Sequence, residues 1–171
     1  MNISITGTLG SGKSSVCKIL KENGYDIISN GVLFREIAEE KGITVVELNE
    51  LAKKDKSIDD MLDERSIRLG KELDSTIFDS RMGWHFIPDS FKVFLLADMT
   101  EAGRRVYNDN RVSESYNDPA TAKADLIKRQ LMEKKRFSDL YQTDYLNLNN
   151  YDLVIESTYA TPDQIAEQIL K

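Results

Sequence analysis

Ile3-Ser4-Ile5-Thr6-Gly7-Thr8-Leu9-Gly10-Ser11-Gly12-Lys13-Ser14-Ser15 is the stretch on which the reading of this chain turns. A short apolar run leads into a glycine-rich turn. Beyond it lies a segment, Lys13 to Asn23, whose apolar residues Val16, Cys17, Ile19 and Leu20 recur at helical spacing. Gly7 to Ser14 satisfies the pattern G-x-x-x-x-G-K-S/T in the setting that pattern needs, between a buried strand and a helix start. Glycines let consecutive backbone N–H groups turn toward one anion, and the helix N-terminus adds its positive dipole. Lys13 can then reach the outer phosphates of a triphosphate, and Ser14 can offer its hydroxyl to magnesium. Gly7, Thr8, Leu9, Gly10, Ser11, Gly12, Lys13, Ser14 and Ser15 are therefore expected to cradle a nucleoside triphosphate. The plain alternative, a glycine-rich turn with a chance lysine, does not explain why pattern and context coincide.

Working outward, Gly24 offers a left-handed end to the first helix, and Tyr25 to Ser29 reads as a buried strand. Gly31 breaks that strand before Val32, Leu33, Ile37 and Ala38 mark an amphipathic helix. Two more helices follow, one opened by Thr44 and one by Ser57 with Asp60 in a capping-box pattern, the second ending near Asp74. Thr76 to Asp79 and Val93 to Ala97 read as central strands of a parallel sheet. Thr100 opens a helix to about Tyr107, and the polar stretch Asn108 to Pro119 reads as a mobile surface segment. Pro119 begins a long charged helix to about Tyr141, Leu153 to Glu156 gives a last strand, and Thr161, Pro162 and Gln164 open the closing helix. Five strands, each followed by a helical pattern, predict a three-layer α/β fold with a mainly parallel sheet.

The 171 residues, 40% of them apolar, fit one compact domain over positions 1–171. A net charge of −6 argues against nucleic acid or anionic membrane as partner, so any bound phosphate must meet a locally basic site. The longest apolar runs are far short of a membrane helix, and no signal-like segment precedes Ile3, so a cytoplasmic protein is expected. The single cysteine, Cys17, excludes an internal disulfide and falls on the buried side of the first helix.

A triphosphate cradle leaves GTPases, motors, nucleotide kinases and other small-molecule kinases open. No N-K-x-D guanine signature is present, and the chain is too short to carry an added motor domain. A kinase of a phosphorylated acceptor must hold two anions together, which calls for several fixed cations, preferably guanidiniums that grip phosphate bidentately. Nine arginines are available.

The residues here resemble a known family. Ile28 to Glu36 looks like the S-x-G-x-x-F-R-E segment of archaeal-type cytidylate kinases, the CMP/dCMP kinases. The resemblance continues through Ile58 to Arg65 (I-D-x-x-x-D-x-R), Ser80-Arg81 with Gly83-Trp84, Arg129 to Phe137 (R-x-x-x-E-x-x-R-F) and Tyr151 to Ile155. It implies a P-loop NTPase fold with a five-stranded parallel sheet, a helical acceptor-binding insertion over about 30–74 and a short lid over about 105–120. It implies Mg2+-dependent transfer of the γ-phosphoryl group of ATP to CMP or dCMP, with small nucleotides as partners and neither nucleic acid nor membrane.

By matching motifs, Arg35 would grip the acceptor phosphate, Ser29 and Asp63 would line its site, and Arg81 would contact the nucleotide. Arg129, Glu133 and Arg136 would reach its ribose, base or phosphate, and Arg105 with Arg111 would close from the lid onto the transferring phosphoryl. Asp79, ending a strand, would join Ser14 at magnesium through water.

Simpler roles compete. Arg129 could be solvated on a charged helix, Asp63 could pair with Arg65 or Lys56, and Ser29 could cap a helix. His85, between Trp84 and Phe86, suits packing. The chain departs from the family pattern at Asp79-Ser80, where glutamate and glycine are usual. Ser66 stands for a glutamine, Met132 for a serine and Gln130 for an acid, changes that bear on acceptor choice. Two rival readings stay open: a kinase of another acceptor (a different nucleoside monophosphate, dephospho-coenzyme A or shikimate), and a non-catalytic nucleotide-binding regulator. A third, a ligand-free α/β module, leaves the cradle without a use.

Overall fold

A computed structural model describes residues 1–109 and 116–171. The expected lid residue Arg111 and part of the expected lid lie outside the described residues.

The strand that feeds the glycine loop, β1 (Ile3–Gly7), is buried along its whole length. It pairs in parallel with β3 (Thr76–Asp79) on one side and β4 (Phe91–Leu96) on the other. The edges are β2 (Asp26–Ser29) beside β3 and β5 (Leu153–Glu156) beside β4, giving the order β2-β3-β1-β4-β5. The fully buried strand expected over Tyr25 to Ser29 is thus corrected to a shorter, half-exposed edge strand, because only one neighbour covers it.

On one face, α1 (Lys13–Glu22) and α8 (Pro162–Leu170) bury Val16, Cys17, Leu20, Ile165 and Ile169 against Ile3, Ile5, Ile77, Val93, Leu95 and Ile155. This is the main core, and truncating fully buried Ile5 to alanine costs about 2–5 kcal/mol. Burial pushes the Cys17 thiol up to about 12, so it is an inert packing group.

The other face carries the short α5 (Gly83–Phe86), which the sequence pattern did not suggest, and an aromatic cluster around Trp84, Tyr145 and Tyr151. Helices α6 (Met99–Asn108) and α7 (Pro119–Tyr141) pack on each other, Gly103 lying so close to Lys123 that any side chain there would collide with its backbone. Among the described residues no helix is long and apolar enough to cross a membrane.

Between β2 and β3 the chain builds α2 (Asn30–Lys41), α3 (Val45–Ala52) and α4 (Ser57–Glu72) around their own small core of Ile37, Ala38, Leu48 and Ile58. Thr44 caps α3 and the Thr161–Gln164 capping box opens α8, as their side chains predict. Two expected starts are corrected. Asp55, not a Ser57–Asp60 box, accepts the Ser57 N–H at 2.9 Å, and Asp98 rather than Thr100 caps α6 by accepting the Glu101 N–H at 3.1 Å. In both cases a nearby carboxylate is a stronger acceptor for an orphan helix N–H than a hydroxyl.

Candidate active site

The loop between β1 and α1 owes its shape to two glycines in the left-handed region, Gly10 at φ +75° and Gly12 at φ +85°. At Gly10 an added Cβ would also lie 2.7 Å from that of Ala102. Gly12 leaves the first turn of α1 without a side-chain cap, so its N–H groups are available to an anion.

The rest of the loop is tied down from several directions. Thr8 donates its N–H to the Leu95 carbonyl at 3.0 Å, while its hydroxyl accepts from Ala97 N at 3.1 Å. The Ser157 hydroxyl donates to the Ser11 carbonyl at 3.0 Å, and Leu9 donates its N–H to Gln130 Oε1 at 3.2 Å. Thr8 through Ser15 then form one wall of a cavity of about 460 Å³. Gly7, at the end of β1, lies beneath it rather than on the wall.

Lys13 pairs with Asp79 at 2.5 Å across that cavity floor, both side chains largely covered. Burial lowers the Lys13 pKa first, the Arg81 charge adds to this, and Asp79 opposes it. A phosphate arriving there meets a poorly solvated ammonium ready to exchange one anion for another. Among the described residues no group of three or more His, Cys, Asp or Glu side chains is arranged to hold a metal. The Ser14 hydroxyl and Asp79 carboxylate, at the same end of the loop, suit a hard cation that brings phosphate oxygens with it.

Arg105 is placed differently from the lid role expected of it. Its guanidinium donates to the carbonyls of Gly10 (3.3 Å), Ser157 (2.7 Å) and Thr158 (2.8 Å) and pairs with Glu101 at 3.3 Å. It therefore staples the loop from behind while also lining the cavity. Arg129 lines the same cavity from α7.

A second cavity, of about 290 Å³, opens between α2, α4 and α7. Phe34, Phe86, Phe137 and Tyr141 supply flat apolar wall, and Asp59, Asp63, Ser66, Glu133 and Arg136 supply polar groups. Arg136 donates to Asp59 at 3.0 Å. The Tyr141 hydroxyl donates to Asp63 at 2.6 Å, which answers the expected Asp63–Arg65 pairing. Arg65 binds Glu40 at 2.8 Å instead. Burial, partly opposed by the Tyr141 bond, holds the Asp63 carboxyl above its ordinary value.

Arg81 lines both cavities, and its Nε lies 3.4 Å from Glu133 Oε1.

Arg35 is exposed beside the second cavity and makes no hydrogen bond or ion pair with the described residues. Its guanidinium lies over Gly31, where an added Cβ would stand 3.7 Å from both Arg35 Nη1 and Ser29 Oγ. Ser29 caps α2, accepting the Val32 N–H at 3.2 Å, and is not on the cavity wall.

The departures from the family pattern also find places. Ser80 accepts Met82 N at 3.3 Å through its hydroxyl, Ser66 is buried on the second cavity's wall, and Met132 faces solvent away from both cavities. Gln130 is the residue whose position most exceeds what the pattern suggested, since it reaches the phosphate loop. The aromatic wall was also missed, although Phe137 and Tyr141 stand four residues apart on a helix otherwise charged, a spacing that puts both on one face.

The family model for the cytidylate kinase-like family matches residues 2–159. The chain is 35% identical over 174 residues to a cytidylate kinase of Sulfolobus acidocaldarius, covering 99% of this chain and 92% of that protein. It is 32% identical over 171 residues to a cytidylate kinase of Methanobrevibacter smithii, covering 99% and 96%. A crystal structure of shikimate kinase from Bacteroides thetaiotaomicron superposes with a TM-score of 0.65 at 16% identity, covering 99% of this chain and 96% of that one, a likeness of fold. With a preformed phosphate loop, a second cavity beside it and an arginine common to both, the chain belongs to the cytidylate kinase-like family of phosphotransferases.

Proposed function

We propose that the chain transfers the γ-phosphoryl group of ATP to a nucleoside monophosphate, with CMP or dCMP the acceptor. The observation that carries this reading is the sharing of Arg81 by two adjoining cavities, one walled by the glycine loop and one by aromatic and polar side chains. A guanidinium between two anions offsets their repulsion and can follow charge as it moves from one to the other.

In this reading the backbone N–H groups from Thr8 to Ser15 hold the donor phosphates, and Lys13 leaves Asp79 for the β and γ oxygens. The Ser14 hydroxyl and Asp79 would hold magnesium, which would neutralise charge on the transferring group. The helices over 30–74 form the acceptor side. Arg35 grips the acceptor phosphate, the aromatic wall takes the base, and Asp63, Ser66 and Arg136 face its polar edge or ribose. The acceptor phosphate oxygen attacks the γ-phosphorus in line as its bond to the β–γ bridging oxygen breaks and ADP leaves, and positioning with charge neutralisation carries the rate. Arg129, Arg111 and the segment over about 105–120 close over the donor and exclude water. The names of the relatives, cytidylate kinases at 32–35% identity over nearly the whole chain, support cytosine as the base.

The test is coupled ADP release from magnesium-ATP with CMP, dCMP, UMP, AMP, GMP, dephospho-coenzyme A and shikimate offered in turn. Selective turnover of CMP or dCMP is expected. Selective turnover of another acceptor, or ATP binding with transfer to none, overturns the reading.

A further inference from the structure

Arg81, common to the two cavities, with Glu133 beside it, and the aromatic cluster beside the second cavity contain buried polar atoms with no hydrogen-bond partner among the described residues. They are Nε and Nη1 of Arg81, Oε2 of Glu133, the hydroxyl of Tyr145 and Nε1 of Trp84. Buried polar groups are nearly always satisfied, so several here point to a second arrangement in which they are.

Tyr145 is the odd member. It is fully buried among Met82 and Trp84, edge-on to Phe137 at a centroid distance of 5.4 Å. Its carbonyl accepts the Tyr151 hydroxyl at 2.6 Å, which fixes its backbone. If its hydroxyl served nothing, phenylalanine would fill the space without a stranded donor. Its hydroxyl is a buried donor and Glu133 Oε2 a buried acceptor, each without a hydrogen-bond partner among the described residues, and burial first and then the Glu133 charge raise the hydroxyl's pKa, so it stays protonated and can help a carboxylate only by donating.

Glu133 needs such a donor at one moment. Its carboxylate faces Arg81, Oε1 lying 3.4 Å from Nε. When Arg81 turns toward a phosphate, the partly exposed Glu133 loses its guanidinium partner, and its one buried oxygen, Oε2, bears the cost of an unmet acceptor. A phenol already in place lowers that cost.

We propose that Tyr145 is a positioning residue of the acceptor site, its hydroxyl bonding the Glu133 carboxylate when Arg81 leaves Glu133 for a phosphate oxygen of the bound nucleotide. The inference rests on the kinase reading above. Tyr145 itself never touches the nucleotide, since it has no exposed surface.

Tyr145→Phe, Glu133→Gln and the double variant test it in the full chain. Three readouts apply: thermal melting, KM for CMP and for ATP, and direct CMP binding followed by the fluorescence of Trp84, the only tryptophan, which packs in the same cluster. Because the Tyr145 hydroxyl has no hydrogen-bond partner among the described residues, Tyr145→Phe is expected to melt no lower than the parent chain. It should bind CMP about tenfold more weakly with KM for ATP unchanged, the scale of one hydrogen bond to a charged group. In the Glu133→Gln background the same substitution should change CMP binding by less than about twofold, as a double-mutant cycle requires of residues that act through one another.

A Tyr145→Phe chain that melts lower with unchanged constants overturns the proposal, and so does an equal loss in both Glu133 backgrounds. A parent chain that phosphorylates no monophosphate yet binds one in a Tyr145-dependent way sinks the kinase reading and keeps this inference. Turnover of CMP indifferent to Tyr145 does the reverse. Failure to bind any nucleoside monophosphate sinks both.

Discussion

The two cavities are built by different means. The donor side is a backbone object: β1, α1 and the loop between them, held by Thr8, Ser157, Gln130 and the three carbonyl contacts of Arg105. The acceptor side is a side-chain object assembled from α2, α4, α7 and the turn after β3, and it keeps Arg35 without a partner among the described residues and Arg81 loosely paired. Fixed dipoles that need no reorganisation suit the step where charge develops. Loosely held cations suit a site that must select and then grip a small molecule. The contrast predicts that donor-side changes strike catalysis and acceptor-side changes strike recognition.

Lys13→Met gives the largest expected effect. Loss of the cation over the transferring phosphoryl should lower kcat by roughly 10²–10³, read in the coupled assay at saturating nucleotides. A variant that keeps near-parental kcat would break the donor half of the comparison.

Arg35→Ala comes next, and here the constants should separate. KM for the acceptor should rise about tenfold or more while KM for ATP holds, since a charge-assisted phosphate contact is lost on one side only. A matching rise in KM for ATP would show that the two sites are not separately built.

Gln130→Ala removes a side-chain tether from α7 to the loop. A net contribution of about 1 kcal/mol for a neutral hydrogen bond corresponds to roughly a fivefold rise in KM for ATP, with the acceptor constant unchanged.

The smallest effect is on stability. Because the Asp63 carboxyl is held above its ordinary value of 3.8, the folded chain binds a proton there more tightly than the unfolded one. Its stabilising contribution is present below pH 3.8 and is lost as pH rises through the raised folded value. Asp63→Asn, which cannot ionise, should therefore show no melting advantage below that pH and gain one relative to the parent as pH increases. An advantage that does not vary with pH would remove burial as the cause of the shift.

Much of the donor side was legible because it rests on local rules. The glycine spacing, the strand before it and the helix after it lie within one continuous stretch, and each constrains backbone angles directly. Helix ends set by a Thr cap or a proline, at Thr44, Pro119 and Thr161, were equally readable. What failed was where two local acceptors compete for a helix N–H, as at Asp55 against Ser57 and Asp98 against Thr100, and where a short helix such as α5 has no periodicity to read.

The sequence by itself determined the layered parallel fold, the phosphate loop and the family, because each depends on residues close together in the chain or on motifs that fix spacing. The tertiary structure alone decided that β2 is an edge, that Arg105 staples the loop from behind, and that Gln130 reaches Leu9 across 121 positions. It also decided that Arg81 and Glu133 come together near the buried Tyr145. Those contacts join side chains far apart in sequence, and their geometry is set by how α7 lies against the sheet, which no local pattern records.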